Sequence, residues 1–414
     1  MDLVLTAPIL PLTLQIDPGA SDATLEYTAD REELVLHDDD EGQVTFVADR
    51  PSGGRVEKTY RFGGNRYLFE LSTKLSAGKV PTTLGLVLTP PAPDSPTAAA
   101  HEVGLALTDR KLVEKPIAQL QKGPIDVGPS EWIGFAAQYF MAVAMQPAGT
   151  LPGVLTSGEG VPIARLDAPV VDGRATFAIY AGPKEREILA RAGHDLDRAL
   201  DFGWFWFVAI PLLRGLRALN RITGNYGVAI IVLTALVKAV TAPLTRSTFR
   251  NMREMQKIQP QMAKLRERFK DDQVALQKEM MELYRRHRVN PFSGCLPMLL
   301  QLPIFVGLYN ALSHAIELRH APFYLWINDL SAPDRLLIAG MKIPVLTLVM
   351  GASMFLQQWL TPQQGDPTQQ RMMMFTPLIF TFMFINFPAG LVLYWLVNNV
   401  LTIGQQYVMM RSTK

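Results

Sequence analysis

Ile230-Ile-Val-Leu-Thr-Ala-Leu-Val-Lys-Ala-Val240 is an apolar run with one ammonium group inside it. The apolar segment that contains it, Gly227–Leu244, has 18 residues. A helix needs roughly 17–25 such residues to cross a bilayer. A lysine at the middle of a span costs about 2.5–3.5 kcal/mol on insertion scales. Lys238 therefore requires a water-filled cavity, a polar partner or an escape of its head group toward the interface. The nearest basic residue that marks a span end is Arg246, about 12 Å along the axis at about 1.5 Å per residue. A lysine stem covers about half of that distance. The run thus predicts a membrane span with a polar cavity around Lys238, reached from one side.

Four more apolar segments follow: Phe292–Ser313, Leu336–Leu360, Met372–Phe387 and Ala389–Met410. The fourth is short and begins nearer Gln369. Phe387-Pro-Ala-Gly390 predicts a tight turn into the fifth. Upstream, Asp201–Thr223 sets Trp204, Phe205, Trp206 and Phe207 against Arg214, Arg217 and Arg221, the pattern of a helix lying at the headgroup level. The stretch 246–290 carries 12 Lys/Arg and 6 Asp/Glu, so the positive-inside rule places it in the cytoplasm. Residues 1–200 are then outside, and the C-terminus with Arg411 and Lys414 is inside. Within 246–290, Met255, Ile258, Met262, Leu265 and Phe269 keep a three-four spacing, and Asp271-Asp272 can cap a second helix from Gln273 to about Arg288. The bases of this helical hairpin suit anionic lipid or ribosomal RNA.

Residues 1–200 read as β structure. Alternation appears in Gln43–Ala48, Lys58–Phe62, Arg66–Leu71, Thr83–Leu88, Glu102–Thr108 and Ala175–Ala181. Turn formers such as Pro51-Ser-Gly-Gly and Asp172-Gly separate them, which predicts an antiparallel sandwich. Trp132–Met145 is helix-like or ambiguous, and 184–200 reads as a polar helical linker. The charge balance agrees with two environments: 18 Lys/Arg and 27 Asp/Glu in residues 1–200, against 22 and 11 in the rest.

The chain has one cysteine, Cys295, so it forms no internal disulfide, and no Cys/His metal set or nucleotide-binding glycine motif is present. His101 is a lone histidine on an expected loop. No cofactor, small-molecule substrate or enzymatic activity is expected. The candidate site is instead a client-binding groove. Thr234, four residues before Lys238, shares its helix face, and Thr241 lies three residues after. Gln301 sits in the second span, Gln357 and Gln358 near the end of the third, and Asn398 and Asn399 in the fifth. No intramembrane Asp or Glu matches Lys238, which leaves its charge for an acidic group on a client. Met372-Met-Met, Phe375, Phe380, Phe382, Phe384, Tyr394 and Trp395 make a soft apolar wall.

Several motifs occur in order: Gly224-Asn-Tyr-Gly, Pro243-Leu-Thr, Val289-Asn-Pro-Phe-Ser-Gly-Cys-Leu-Pro, Gln301-Leu-Pro-Ile-Phe, Leu325-Trp-Ile-Asn-Asp-Leu-Ser and Phe387-Pro-Ala-Gly-Leu-Val-Leu-Tyr-Trp. In these the chain resembles the YidC-type membrane insertases of the YidC/Oxa/Alb family over about residues 130–410. The resemblance implies an α-helical polytopic membrane protein of the bacterial inner membrane with a five-helix core. A hydrophilic groove opens to cytoplasm and lipid, and an N-terminal extracytoplasmic antiparallel β-supersandwich-like domain precedes the core. It places Lys238 where the family has arginine, so the charge is kept and the planar fork is lost. It matches Thr234 and Trp395 to client-contacting positions, the latter usually tyrosine. Gram-negative members begin with a membrane-spanning helix; Met1–Leu14, broken by Pro8 and Pro11, is not expected to form one.

The expected organisation is a β domain over 1–200, an interfacial helix over 201–223 and an insertase core over 224–414, with the cytoplasmic hairpin at 246–290. The expected partners are nascent membrane proteins and the lipid bilayer, with the ribosome and a Sec translocon as further candidates. A small-solute transporter or channel is the alternative, disfavoured by the lack of an inverted repeat or filter sequence. A carbohydrate-binding β module anchored by helices is a third reading.

Overall fold

The computed structural model describes residues 12–17, 20–51, 53–76, 80–91, 102–200, 203–270, 272–287, 289, 296–360 and 367–411. They form two compact units, Met1–Asp201 and Phe202–Lys414. His101 and Cys295 lie outside the described residues.

The first unit opens with β1 (Thr13–Asp17), β2 (Ala20–Ser21), β3 (Thr28–Ala29), β4 (Glu41–Asp49), β5 (Arg55–Gly63), β6 (Leu68–Ser76), β7 (Thr83–Leu88), β8 (Val103–Thr108) and β9 (Lys111–Pro116). A helical turn, α1 (Ile117–Leu120), leads to β10 (Ile125–Ser130), β11 (Trp132–Ala136), β12 (Phe140–Met145), β13 (Leu151–Gly158), β14 (Val161–Pro169) and β15 (Arg174–Pro183). Two antiparallel sheets result, in the orders β10-β13-β14-β7-β1-β2 and β3-β4-β5-β6-β15-β12-β11-β8-β9. Their facing sides bury Leu14, Leu84, Leu86 and Leu166 against Val56, Leu71, Ile133 and Phe177, which closes the sandwich core. The turn foreseen at Asp172-Gly173 is present, with both residues at positive φ (51° and 74°), as a two-residue hairpin turn requires.

Two segments differ from the sequence expectation. Trp132–Met145 is not helical: β11 and β12 pair directly, Trp132 opposite Met145. Residues 184–200 are not a linker. They form α2 (Arg186–Ala192) and a 3-10 turn, Leu196–Ala199, whose Leu189, Leu196 and Ala199 cover the outer face of the larger sheet. That cover removes the strand signal from Trp132–Met145. Trp132, Met141, Val143 and Met145 are buried under α2 while Ile133 and Ala144 face the sandwich core. Strands buried on both faces lose the alternation that marks a strand.

A buried polar cluster ties β1 to β5. Asp22 accepts from the Leu14 amide (2.7 Å) and the Tyr27 hydroxyl (2.7 Å) and ion-pairs with Lys58, which also donates to the Leu12 carbonyl (3.1 Å). Burial pulls the Lys58 ammonium below its ordinary pKa, with Asp22 opposing.

Glu102 precedes β8, buried, with one carboxylate oxygen unpartnered. Burial pushes its pKa up to about 7 from 4.5. The folded chain thus holds this proton across a window in which the unfolded chain has lost it. The stabilisation is complete below the unfolded pKa and is lost as pH rises toward 7. Glu102→Gln is expected to raise the melting temperature at pH 8 and leave it unchanged at pH 4. Thermal unfolding of the detergent-solubilised chain at both pH values checks this.

In the second unit, α3 (Trp206–Thr223) ends where Gly224 takes φ 66° and its amide closes on the Asn220 carbonyl (2.8 Å). Asn225 then caps α4 (Tyr226–Arg268) by accepting from the Val228 amide. This helix runs 43 residues, through Pro243 and Pro260, so the first arm of the expected hairpin is continuous with the apolar helix before it. Among the described residues it is the one helix long and apolar enough to cross a membrane. The second arm, α5 (Gln273–Arg286), is capped by Asp272 as its sequence foretold, and Met255, Ile258 and Met262 pack against Met280, Leu283, Tyr284 and Val289.

Next come α6 (Leu296–His314), the strands β16 (Leu336–Ile338) and β17 (Met341–Ile343), α7 (Val345–Leu360), α8 (Pro367–Phe384) and α9 (Ala389–Arg411). The apolar segment expected to span as Leu336–Leu360 is divided. Its first eight residues are a β-hairpin, because Gly340 takes φ 81° and Pro344 precedes the helix start. The chain between α6 and α7 is held by Asp334, which accepts from Trp326 Nε1 and from the Leu346 and Thr347 amides at the start of α7.

Candidate functional site: a polar stripe on the last helix

α9 packs against α4 and α7 and, over a shorter stretch, against α6. Its sequence sets Tyr394, Asn398, Thr402 and Gln406 four residues apart. Such spacing puts them along one drifting face. All four are buried.

Two polar contacts anchor this stripe to its neighbours. Lys238 on α4 donates to Thr402 Oγ1 at 2.8 Å, and Thr402 donates onward to the Asn398 carbonyl at 2.6 Å. Lys238 itself is half-buried. Eight residues toward the start of α9, about 12 Å at about 1.5 Å per residue, Gln301 on α6 donates to the Tyr394 hydroxyl at 2.5 Å. A third contact faces α7, where Asn399 donates to Ser353 Oγ at 2.9 Å. Among the described residues no carboxylate lies within 4.0 Å of Lys238. Its partner is a neutral hydroxyl, which supplies a lone pair and leaves the charge uncancelled.

The predicted site residues therefore fall into two groups on α9. Lys238 meets Thr402, whose hydroxyl turns back to the backbone carbonyl of Asn398, so these bonds bring Lys238 to the α9 backbone at Asn398 and not to its side chain. Gln301 and Trp395 lie at the other end, where the Trp395 ring packs on Phe305 (centroids 4.9 Å), Phe384 (5.3 Å) and Phe380 (5.7 Å). Thr234 is 2% exposed, and its hydroxyl donates to the Ile230 carbonyl at 2.6 Å, so its polar atom is spent on its own helix. Thr241 does the same toward Val237. Of the expected apolar wall, Met374, Phe375 and Phe382 on α8 are exposed, beside Leu378 and Ile379, whereas Phe384 and Tyr394 are buried in the helical core and Phe380 and Trp395 are partly buried against it. Met372 and Met373 lie among residues whose side chains are not described.

Residue-by-residue reading missed Thr402 and Ser353. The signal for Thr402 was present: it stands one helical turn after Asn398, so the stripe could have been extended by the same four-residue step. Ser353 had none, since its partner is 46 residues away.

The chain matches two family models. Residues 12–214 match the YidC periplasmic domain and residues 218–414 the 60Kd inner membrane protein. It is 41% identical over 404 residues to a membrane protein insertase YidC of Geobacter sulfurreducens, covering 94% of this chain and 75% of the relative. It is 43% identical over 401 residues to one of Oleidesulfovibrio alaskensis, covering 92% and 73%. A solved active YidC insertase is 20% identical, covering 94% of this chain and 84% of its own, with a TM-score of 0.44.

Proposed function

This chain belongs to the YidC family of membrane protein insertases, and on that premise we propose that the α4–α9 contact is where it receives polar client segments. Membership makes it an inner-membrane protein with a periplasmic domain. The observation that carries the proposal is the Lys238–Thr402 hydrogen bond. A cation in a span is held by a hydroxyl and by no acid among the described residues. A carboxylate on a client can displace that hydroxyl and gain a charge-assisted bond, worth more than the neutral one it replaces. The cost of bringing the carboxylate into the bilayer falls by that gain, and no chemical step is needed. The client's apolar part can then leave along the exposed side chains of α8. Lysine's single ammonium, unlike an arginine fork, imposes little geometry on the carboxylate, which suits clients of varied sequence.

The supporting topology is multi-pass, with residues 1–200 periplasmic, 201–223 at the membrane surface and 224–414 as the core. The α4–α5 hairpin and the C-terminus are cytoplasmic, in accord with the 12 Lys/Arg against 6 Asp/Glu of 246–290. Nascent chains are the clients, and the basic hairpin is the surface for anionic lipid or ribosomal RNA. A photoreactive residue in place of Trp395 is expected to crosslink a ribosome-bound nascent membrane protein. The adduct should weaken when Lys238→Leu is added. Adducts only to lipid would reject a client path along α9.

A further inference from the structure

The β16–β17 hairpin has a composition that water disfavours. Its register pairs Leu336 with Ile343, Leu337 with Lys342 and Ile338 with Met341. Alternation then places Leu336, Ile338, Met341 and Ile343 on one face, which is wholly apolar. Leu337, Ile338 and Met341 are exposed. The turn between the strands is Ala339-Gly340, with φ of 51° and 81°. Both residues are left-handed, the geometry of a two-residue turn that aqueous hairpins fill with Asn-Gly or Asp-Gly. Here an alanine bears the Cβ penalty of that conformation and offers water nothing in return. Tip and face are thus apolar together.

Neighbouring features agree. α7 starts two residues after the hairpin and has 16 residues. At about 1.5 Å per residue it is about 24 Å long, short of a hydrocarbon core of about 30 Å. Its exposed side chains are apolar: Leu348, Val349, Phe355, Leu356 and Trp359. The same chain segment between α6 and α7 presents Leu325 at φ 60° and 87% exposed, a strained leucine turned outward. Asp334 fixes this segment to the start of α7, so these groups share one end of the helical unit. Lys342, exposed on the opposite hairpin face, is placed for a lipid phosphate.

We propose that this hairpin is a lipid-embedded wedge. Its Ile338–Met341 tip enters the outer leaflet of the phospholipid bilayer and completes the thickness that α7 does not span. The wedge rests on the membrane topology given above. It continues the lipid-facing side of α7 and uses Lys342 as its headgroup contact. A hairpin tip of this kind would locally disorder the outer leaflet beside the core.

The test is depth-resolved quenching in reconstituted proteoliposomes. With Cys295→Ser as background, an environment-sensitive fluorophore is attached at Ile338→Cys, Met341→Cys, Trp359→Cys or Glu159→Cys. Trp359 on α7 is the lipid reference, and Glu159, in the turn between β13 and β14, is the water reference. The wedge predicts that labels at 338 and 341 are quenched several-fold more by nitroxide near the lipid headgroup than the label at 159. It also predicts several-fold protection from aqueous iodide. Free quenching by iodide at 338 and 341, or protection from both quenchers, overturns it. If the label at 359 is quenched by lipid and those at 338 and 341 are not, the wedge fails and the topology stands. If the label at 359 also behaves as in water, both fail.

Discussion

Asp22→Ala is expected to destabilise the β unit by about 3–5 kcal/mol, the range for removing one partner of a buried ion pair. Asp22 and Lys58 are 3% and 7% exposed. Loss of the carboxylate strands an ammonium group inside the sandwich and also leaves the Leu14 amide and Tyr27 hydroxyl without the acceptor they use. The pair holds β1, next to the edge strand β2 of the smaller sheet, to β5 of the larger, so the damage falls on the joint between layers. For a unit of this size each kcal/mol shifts the melting temperature by roughly 2–4 °C, which predicts a drop of roughly 6–20 °C. Lys58→Met should cost less, because Asp22 keeps two donors and the methionine fills the space. Calorimetry on the solubilised chain makes the comparison. A drop for Asp22→Ala no larger than that for Lys58→Met would mean that water reaches the site.

Asp334→Ala should have a comparable effect on the helical unit. This carboxylate is buried and receives three donors: Trp326 Nε1 (2.6 Å), the Leu346 amide (2.5 Å) and the Thr347 amide (3.3 Å). It caps α7 from ten residues or more upstream, so it does the work of an N-cap and closes the loop together. Alanine leaves these donors unpaired at about 1–3 kcal/mol for each buried one. The start of α7 should fray, and Arg335, which donates to the Ile385 carbonyl and Asn386, should lose its placement. Asp334→Asn retains one acceptor oxygen and should recover part of the loss. Hydrogen exchange at the first turn of α7 reports it: fast exchange in Asp334→Ala, intermediate in Asp334→Asn. Equal protection in all three would remove Asp334 from this role.

β4, β5 and β6 were readable because one face of each is wetter than the other, whereas β7, β8 and β15 are buried on both faces and were legible as short β-rich runs bracketed by turn formers such as Asp172-Gly173. β11 and β12 were not, because α2 dries their outer face, and that helix announces the fact only through Ile188, Leu189 and Ala192 amid charged residues. In the helical unit, local signals served well: Asp272 as a cap, Met255, Ile258 and Met262 as a packed seam. The divided third segment misled because Leu, Ile and Met serve a span and a lipid-facing hairpin alike, and only Gly340 and Pro344 mark the break. The site was half legible. Lys238, Gln301, Asn398 and Trp395 stood out as polar or aromatic groups in apolar runs. The choice of partner did not, since Lys238 and Thr402 are 164 residues apart and no periodicity links two helices. Thr234 shares a helix face with Lys238, yet its hydroxyl turns back to its own backbone, a local option open to threonine in any helix.

In the proposed insertion path the charge of Lys238 acts on an acid in the client. A double-mutant cycle measures this directly: insertion of a model client with Asp or Asn in its leading segment, by the unaltered chain and by Lys238→Leu. A charge-assisted bond implies a coupling of about 1.5–3 kcal/mol, roughly ten- to hundredfold in the insertion equilibrium. That result requires Lys238→Leu to impair the Asp client far more than the Asn client. Equal impairment of both would contradict it and leave Lys238 as a packing residue of the α4–α9 contact.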